Sequence, residues 1–288
     1  MGMNVGIVGL GLIGGSLAKS IKKHSEHTVW GFDIDSDVVT QALMCGAIDE
    51  TLTDALLPQC DVVLVALYPG ACVRYIETHA EAFAPGAWVI DCAGVKRIVC
   101  NALFPLAENR PWRFVGGHPM AGREHSGYAA ARDNLFERAA MLLAPPKDFS
   151  EEDGRALRDF FMEIGFRDVR FTTPEEHDRM IGYTSQLAHV LSSAYVKNPL
   201  SADNRDFTGG SFQDLTRVAR LNETMWTELF LDNADDLLAS LDDLLTRLNE
   251  YRDALTHRDA ESLKALLREG RLCKEAIEPG KSTKEERA

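Results

Sequence analysis

Short apolar runs alternate with amphipathic stretches over residues 1–172 of the chain. Most of the runs are apolar on both faces, which is typical of strands in a parallel sheet covered by helices. The runs that predict strands are 4–9, 28–32, 61–66, 87–91, 113–117, 140–144 and 168–171. Helical spacing of apolar positions between them predicts helices, for example over 13–23, 37–45 and 72–83. This alternation predicts a doubly wound α/β sheet.

The alternation of strands and helices ends near Thr173, where the sequence predicts the start of a helix. Thr173 is a helix-capping residue, Pro174 suits the first helical position, and Glu176 completes a capping box. From there to about residue 276 the apolar positions recur at helical spacing. The strongest stripe consists of Leu237, Leu238, Leu241, Leu244, Leu245 and Leu248. A stripe this wide either packs inside the chain or buries against a second subunit, and both alternatives stay open.

These patterns predict two domains, a nucleotide-binding α/β domain over 1–172 and an all-α domain over 173–288. Residues 278–288 are polar and charged, and they are predicted to be disordered. The 288 residues and the 45% hydrophobic content suffice for two domains with cores.

Charge and cysteine usage narrow the class of protein. A formal net charge of −13 argues against nucleic acid or an anionic membrane surface as a partner, because both attract basic proteins. The six cysteines form no CxxC pair and show no metal-ligand spacing with histidine, so no metal is predicted. With no signal peptide pattern and no apolar run long enough to span a membrane, we expect a cytoplasmic protein.

A glycine-rich turn follows the first strand directly and opens a helix, in the pattern GLGLIG. Gly9 permits the tight turn, Gly11 lets the backbone approach a pyrophosphate, and Gly14 lets the helix pack close to the strand. Leu12 and Ile13 begin the helix, whose amide-rich N-terminus faces the phosphates of a dinucleotide. The spacing therefore predicts a dinucleotide-binding βαβ unit of the Rossmann type.

The second strand ends at Asp33, where the cofactor is selected. A carboxylate at this place accepts hydrogen bonds from both ribose hydroxyls and repels a 2′-phosphate. No arginine or lysine follows closely. The sequence therefore predicts NAD rather than NADP as the cofactor.

His118 lies at the C-terminal end of a later strand, within the segment GGHPMAGR. Ligands bind at this edge of an open α/β sheet. A histidine there is suited to take a hydroxyl proton while hydride leaves the same carbon, since its pKa is near neutrality. His118 is thus the candidate catalytic base.

Four segments of the chain form a recognisable set. They are GHPMAG around His118, DCAGVK at 91–96, SQLAH at 185–189, and FQDLTRVA at 212–219 followed by MW and LFLDN. Together they resemble the prephenate/arogenate dehydrogenase family of tyrosine biosynthesis. The resemblance covers roughly residues 3–275. It implies oxidative decarboxylation of a cyclohexadienol, in which a base deprotonates the ring hydroxyl, hydride passes to NAD, and loss of CO₂ yields an aromatic ring.

The resemblance also implies roles for single residues. His118 would be the base, and Gly94 would lie near the nicotinamide. Arg217 would grip a substrate carboxylate by a forked contact. Ser185 and His189 are four residues apart, hence on one helix face, and would also contact the substrate. The resemblance implies prephenate or arogenate as the small-molecule substrate. A homodimer through the helical domain is expected from the leucine stripe.

Two departures from the family pattern bear on His118. Gly94 stands where the family often has a serine whose hydroxyl meets the catalytic histidine. Gln186 replaces a histidine of the helix motif, and Ala188 stands where proline is usual. These departures leave open which group orients His118.

Three alternatives remain open on the sequence alone. Prephenate and arogenate differ only by a keto or an amino group, and the sequence does not choose between them. A β-hydroxyacid dehydrogenase also joins a Rossmann domain to helices. That class relies on a helix lysine near the cleft, and Lys96 is the candidate to replace it here. A nucleotide-sensing protein without turnover would fit Gly94 and Gln186, whereas His118 and Arg217 speak for an enzyme.

Overall fold

The computed structural model describes residues 2–123, 125–203 and 207–278. The chain divides into two compact units, Met1–Asp236 and Leu237–Ala288. The boundary expected at 172/173 stays a prediction. Of the tail expected to be disordered, residues 279–288 lie outside the described residues.

The described residues form one eight-stranded sheet in the order β3-β2-β1-β4-β5-β6-β7-β8. Its strands are β1 (Asn4–Val8), β2 (Thr28–Phe32), β3 (Glu50–Thr51), β4 (Val62–Val65), β5 (Trp88–Asp91), β6 (Arg113–Pro119), β7 (Ala140–Ala144) and β8 (Asp168–Phe171). All seven predicted strands are present, and the doubly wound fold is confirmed. The pattern missed β3, which is two residues long. Neighbouring strands are parallel, apart from the antiparallel pair β6 and β7.

Helices connect the strands and then continue alone. They are α1 (Leu12–His24), α2 (Ser36–Met44), α3 (Pro69–Thr78), α4 (Arg97–Ala107), α5 (Glu151–Glu163), α6 (Pro174–Ile181), α7 (Leu187–Tyr195), α8 (Gly210–Thr216), α9 (Glu223–Asp232), α10 (Ala234–Thr256) and α11 (Ala260–Ile277). The helix expected over 72–83 starts earlier because Pro69 takes the first helical position, where its missing N–H costs nothing. The described residues beyond β8 contain helices and turns and no strand.

Two apolar layers cover the sheet. One layer packs α1, α2 and α5 against one face and includes Leu17, Ile21 and Phe161. The other packs α3 and α4 against the opposite face around Ile76 and Leu103. Strands covered on both sides bury nearly all of their side chains, which explains their uniformly apolar sequence.

The helical segment starts as the sequence predicts. The Thr173 hydroxyl accepts a hydrogen bond from the N–H of Glu176, so α6 begins at Pro174. A five-residue π-helical turn, Gly182–Gln186, joins α6 to α7. Such turns frequently occur at functional sites.

The second unit consists of most of α10 together with α11. Much of its leucine stripe is exposed in the single chain, including Leu238 (55% exposed), Leu245 and Leu248. Leu237 is buried. In the described part of the chain, no helix is long and apolar enough to cross a bilayer.

Candidate active site

The glycine-rich turn has the geometry that its sequence predicts. Gly9 adopts a φ of +86°, which side chains disfavour, and its N–H donates to the carbonyl of Phe32 at 2.7 Å. A Cβ on Gly14 would overlap the carbonyl oxygen of Gly9. The first glycine therefore makes the turn, and the third lets α1 pass close to it.

The N-terminus of α1 is open to a ligand. Gly11 is the N-cap, and an added Cβ there would meet no atom within 4 Å. No side chain of the described residues caps this helix, and its first turn, from Leu12 and Ile13, contains no acidic residue. Unpaired amides at a helix start bind phosphate oxygens, so the turn fits the pyrophosphate of a dinucleotide.

Asp33 follows β2 directly and is held beside the turn. Its carboxylate accepts hydrogen bonds from the N–H of Leu10 at 2.7 Å and from the N–H of Asp35 at 3.0 Å. These bonds fix the carboxylate next to the glycine-rich turn, as ribose recognition requires.

A further contact beside the turn was missed by the sequence reasoning. A Cβ on Gly15 would come within 2.7 Å of the ring of Tyr128. Lys19 lies over the same ring at 4.5 Å from its centroid, and the hydroxyl of Tyr128 is 2.9 Å from Sγ of Cys45. Gly15 thus lets Tyr128 pack on α1. No local pattern predicts this contact, because the two residues are far apart along the chain.

His118 lies inside β6, at the second-last position of the strand, and is partly buried. Its Nδ1 is 2.9 Å from Nε2 of His177, a residue that the sequence analysis did not single out. Nδ1 of His177 is in turn 2.7 Å from Oδ1 of Asp178. His118, His177 and Asp178 therefore form a hydrogen-bonded chain, which we name the His–His–Asp chain.

In the His–His–Asp chain, burial is the largest influence on the pKa of each side chain. Burial, followed by the positive charges that His177 and Lys96 carry when protonated, holds the pKa of His118 well below 6.5. Burial also lowers the pKa of His177, against the hydrogen bond to Asp178. For Asp178, burial raises the pKa, but the hydrogen bonds from His177 and two backbone N–H groups outweigh it and lower the pKa.

Lys96 is fully buried and is not available to a substrate. Its Nζ pairs with Asp91 and donates to the carbonyl of Gly117 at 2.6 Å. Asp91 also accepts a hydrogen bond from the N–H of Gly117 at 2.9 Å. The pair joins the end of β5 to β6 just before His118. Because Lys96 is buried and paired, it cannot serve as the catalytic lysine that a β-hydroxyacid dehydrogenase would need.

Both departures from the family pattern meet at Leu229 on α9. An added Cβ on Gly94 would lie 3.3 Å from Cδ2 of Leu229 and 4.0 Å from Nε2 of His118. Gln186 is buried and donates to the backbone carbonyl of Leu229 at 2.9 Å. Asn233 donates to the side-chain oxygen of Gln186 at 2.8 Å. An apolar side chain held by Gln186 therefore packs against Gly94, where the family often has a hydroxyl.

Of the predicted substrate residues, His189 contacts Trp226, which lies three positions before Leu229 on α9. The rings of His189 and Trp226 are 4.0 Å apart between centroids. Nδ1 of His189 donates to the carbonyl of Ser185 at 2.8 Å, which leaves Nε2 without a proton, as an acceptor. Burial lowers the pKa of His189, and the charge of Arg217 lowers it further.

Arg217 begins a short turn after α8 and lines a cleft of about 640 Å³. The other lining residues are His125, Val196, Phe212, Thr216, Ala219 and Arg220. The site residues thus form two groups that α9 connects, His118 with Gly94 on one side and His189 with Arg217 on the other. All six cysteines are free, and no cluster of potential metal ligands occurs among the described residues.

Comparison with known proteins gives matches over almost the whole chain. Residues 17–169 match the family model of the prephenate dehydrogenase nucleotide-binding domain, and residues 173–269 match that of the prephenate dehydrogenase dimerization domain. The chain is 29% identical to a prephenate dehydrogenase of Bacillus subtilis over 266 residues, which cover 89% of this chain and 71% of the relative.

Two solved structures are similar to the fold. A prephenate dehydrogenase from A. aeolicus in complex with hydroxyphenyl propionate and NAD⁺ superposes with a TM-score of 0.85 at 28% identity, covering 96% of this chain and 99% of the other. A Synechocystis arogenate dehydrogenase superposes with a TM-score of 0.80 at 25% identity, covering 96% of this chain and 100% of the other.

Proposed function

This chain belongs to the prephenate dehydrogenase family, and from that premise we propose how its own residues act on the substrate. The chain is an NAD-dependent oxidoreductase with the activity of a prephenate dehydrogenase. The substrate is a cyclohexadienol that carries a hydroxyl on one ring carbon and a carboxylate on the opposite one.

His118 is the base in this proposal. Bound NAD supplies the hydride acceptor. Nε2 of His118 takes the proton of the ring hydroxyl as hydride leaves the same carbon, and the C–O bond becomes a carbonyl. The bond to the ring carboxylate then breaks and releases CO₂, its electron pair completes the aromatic ring, and the oxygen takes back the proton held by His118 to become a phenol. Because aromatisation drives the reaction, alignment and a base suffice.

Arg217, Ser185 and His189 hold the substrate in this proposal. Prephenate carries two carboxylates, and a guanidinium pairs with a carboxylate by charge-assisted hydrogen bonds. His189, whose ring lies beside Trp226, contacts the substrate through its Nε2. Asp33, Gly9, Gly11, Leu12, Ile13 and Gly14 hold the dinucleotide, with Gly94 near its nicotinamide.

One observation carries the role of His118, namely that its Nε2 faces the Gly94 turn at the carboxyl edge of the sheet. The test mixes purified protein with NAD and prephenate and follows the absorbance of NADH. His118→Asn is expected to lower kcat by about 10²–10⁴-fold while NAD still binds. The matched control is His257→Asn, because His257 is exposed and lies outside the first unit.

Equal turnover of His118→Asn and the parent would refute the role of His118 as base. Absence of turnover in parent protein that binds NAD would instead refute the proposed reaction. A parallel assay with arogenate decides between the two substrates. We propose prephenate as the substrate, since both family models and the B. subtilis relative carry that name.

We further propose a homodimer built through the helical half. The support is the exposed leucine stripe of α10 together with the match to a dimerization domain. Light scattering should give about twice 31.9 kDa for the parent. Leu245→Glu should lower that mass, and the neighbouring Thr246→Glu should not. A parent mass of one chain would refute the dimer.

We place the protein in the cytoplasm. Its six cysteines are free, which agrees with that reducing compartment.

A further inference from the structure

We infer that His177 positions His118, by accepting a hydrogen bond from its Nδ1–H, and that Asp178 fixes His177 in the form that can accept it. The inference rests on the proposed role of His118 as base. It assigns a role to two residues of α6 that neither the motifs nor the comparisons single out, and it answers which group orients His118 in a chain with Gly94 and Gln186.

The direction of the hydrogen bonds starts at Asp178. Besides His177, its carboxylate accepts the backbone N–H groups of Lys96 at 2.7 Å and Arg97 at 2.8 Å. These are the first amides of α4, whose positive dipole end favours a negative charge. The guanidinium of Arg97 lies 3.4 Å from the same carboxylate. Asp178 is therefore ionised although it is fully buried, and an ionised carboxylate only accepts hydrogen bonds.

The state of His177 follows from that of Asp178. Because Asp178 accepts, Nδ1 of His177 carries the proton. Burial keeps the ring neutral at pH 7, so Nε2 of His177 has a lone pair and no proton. That nitrogen must accept from Nδ1 of His118. His118 is thereby held as the Nδ1–H tautomer, and its Nε2 carries the lone pair that a base needs.

The opposite side of the His118 ring carries no hydroxyl to share this task. Gly94 has no side chain, and Leu229 occupies the neighbouring space. Gln186, whose side chain bonds the backbone of Leu229 and is itself bonded by Asn233, keeps Leu229 in place. Among the described residues, His177 is the hydrogen-bond partner of the His118 ring. Orientation through Nδ1 leaves Nε2 facing the substrate.

Two cations lie near the His–His–Asp chain, and each is paired with a carboxylate. Among the anions nearby, Asp232 interacts with the charge of Asp178. Lys96 faces His118 and is paired with Asp91 on β5. Arg97 on α4 pairs with Asp178 and with Asp236. Neither cation needs a bond from His118 or His177, so the two rings are left to bond each other.

Two substitutions at position 177 separate orientation from bulk. Glutamine places its amide oxygen about where Nε2 of histidine lies, so His177→Gln keeps an acceptor for His118. Asparagine reaches only about as far as Nδ1, so His177→Asn keeps the contact with Asp178 and loses that acceptor. We expect His177→Asn to lower kcat by about tenfold or more, with KM for both substrates within about twofold, since the buried His177 side chain bonds His118 and Asp178. His177→Gln should retain most of the parent kcat.

A spectrum tests the same inference without turnover. In protein labelled with ¹⁵N-histidine, the imidazole nitrogens report the tautomer, and the His118 signals are those that His118→Asn removes. We expect the Nδ1–H tautomer of His118 in the parent and in His177→Gln, and its loss in His177→Asn. The melting temperature of each variant is measured to check that it is folded.

Three results would overturn the inference. The first is the Nε2–H tautomer of His118 in the parent, and the second is a kcat of His177→Asn within about twofold of the parent. The third is an equal fall of kcat in the asparagine and glutamine variants. The spectrum needs no substrate, so it tests the inference even if the proposed reaction is refuted. If the parent turns over prephenate and His177→Asn does so equally well, the inference is refuted and the proposed reaction stands.

Discussion

Replacing Lys96 with methionine should destabilise the protein strongly. The side chains of Lys96 and Asp91 are 1% and 0% exposed, so the pair is shielded from water. Methionine fills much of the space of the lysine stem but leaves the Asp91 carboxylate charged and buried without its cation. It also removes the donor that satisfies the carbonyl of Gly117. Both losses occur at the junction of β5 and β6, immediately before His118.

The size of the effect follows from the burial. Breaking a buried ion pair by removing one partner costs about 3–5 kcal/mol. Asp91 keeps the N–H groups of Ala93 and Gly117 as donors, so we expect the lower end, about 3 kcal/mol. The corresponding fall in melting temperature is roughly 6–12 °C. The exposed pair of Lys22 with Asp49 supplies the control, since Lys22→Met should cost at most about 1 kcal/mol.

Urea unfolding followed by tryptophan fluorescence measures both variants, because Trp88 and Trp112 are buried in the first unit. The double variant Lys96→Met with Asp91→Asn should be less destabilised than Lys96→Met alone, since it removes the unpaired charge. A loss below about 1 kcal/mol for Lys96→Met, equal to that of the Lys22 control, would refute the reasoning.

Three further predictions concern the site. Asp33→Asn should lower the ratio of kcat/KM with NAD to that with NADP about 10–100-fold, because it removes the charge that repels a 2′-phosphate; an unchanged ratio would assign ribose recognition to another group. Arg217→Gln should raise KM for the substrate about tenfold or more with little change in kcat, since a carboxylate clamp acts in ground and transition states alike. Arg252→Gln is its control, because Arg252 is exposed and does not line this cleft; equal effects of both would place the clamp elsewhere. The plateau of kcat/KM should extend below pH 6.5 and be lost as the pH falls through the lowered pKa of His118, whose neutral form is the base; an acid limb at or above 6.5 would contradict this.

The sequence predicted those features of the fold and site that depend on residues close together along the chain. The turn at Gly9, the carboxylate at Asp33 and the helix start at Thr173 are each set by residues within a few positions, and the structure has all three. The direction of β7 was beyond reach, because an apolar run has the same pattern in parallel and antiparallel strands. β3 is too short for any periodicity to appear.

The His–His–Asp chain could not be predicted from the sequence, because its residues come from distant segments. His118 and His177 are 59 positions apart, and their contact depends on how α6 crosses the end of the sheet. A histidine in the first turns of a helix is usually solvated, so nothing in the pattern marks His177. Its pairing with a buried Asp178 that caps α4 is visible only once the strands and helices are assembled.

The π-helical turn Gly182–Gln186 constrains the length of the chain as well as its composition. A π turn accommodates one residue more than an α turn, and each residue of an α-helix rotates the chain by about 100° about the axis. Deleting Tyr183 or Thr184 would therefore swing His189 away from Trp226 without removing a side chain that the site uses. Single-residue insertions and deletions here should be tolerated far less well than substitutions at the exposed Tyr183 or Thr184.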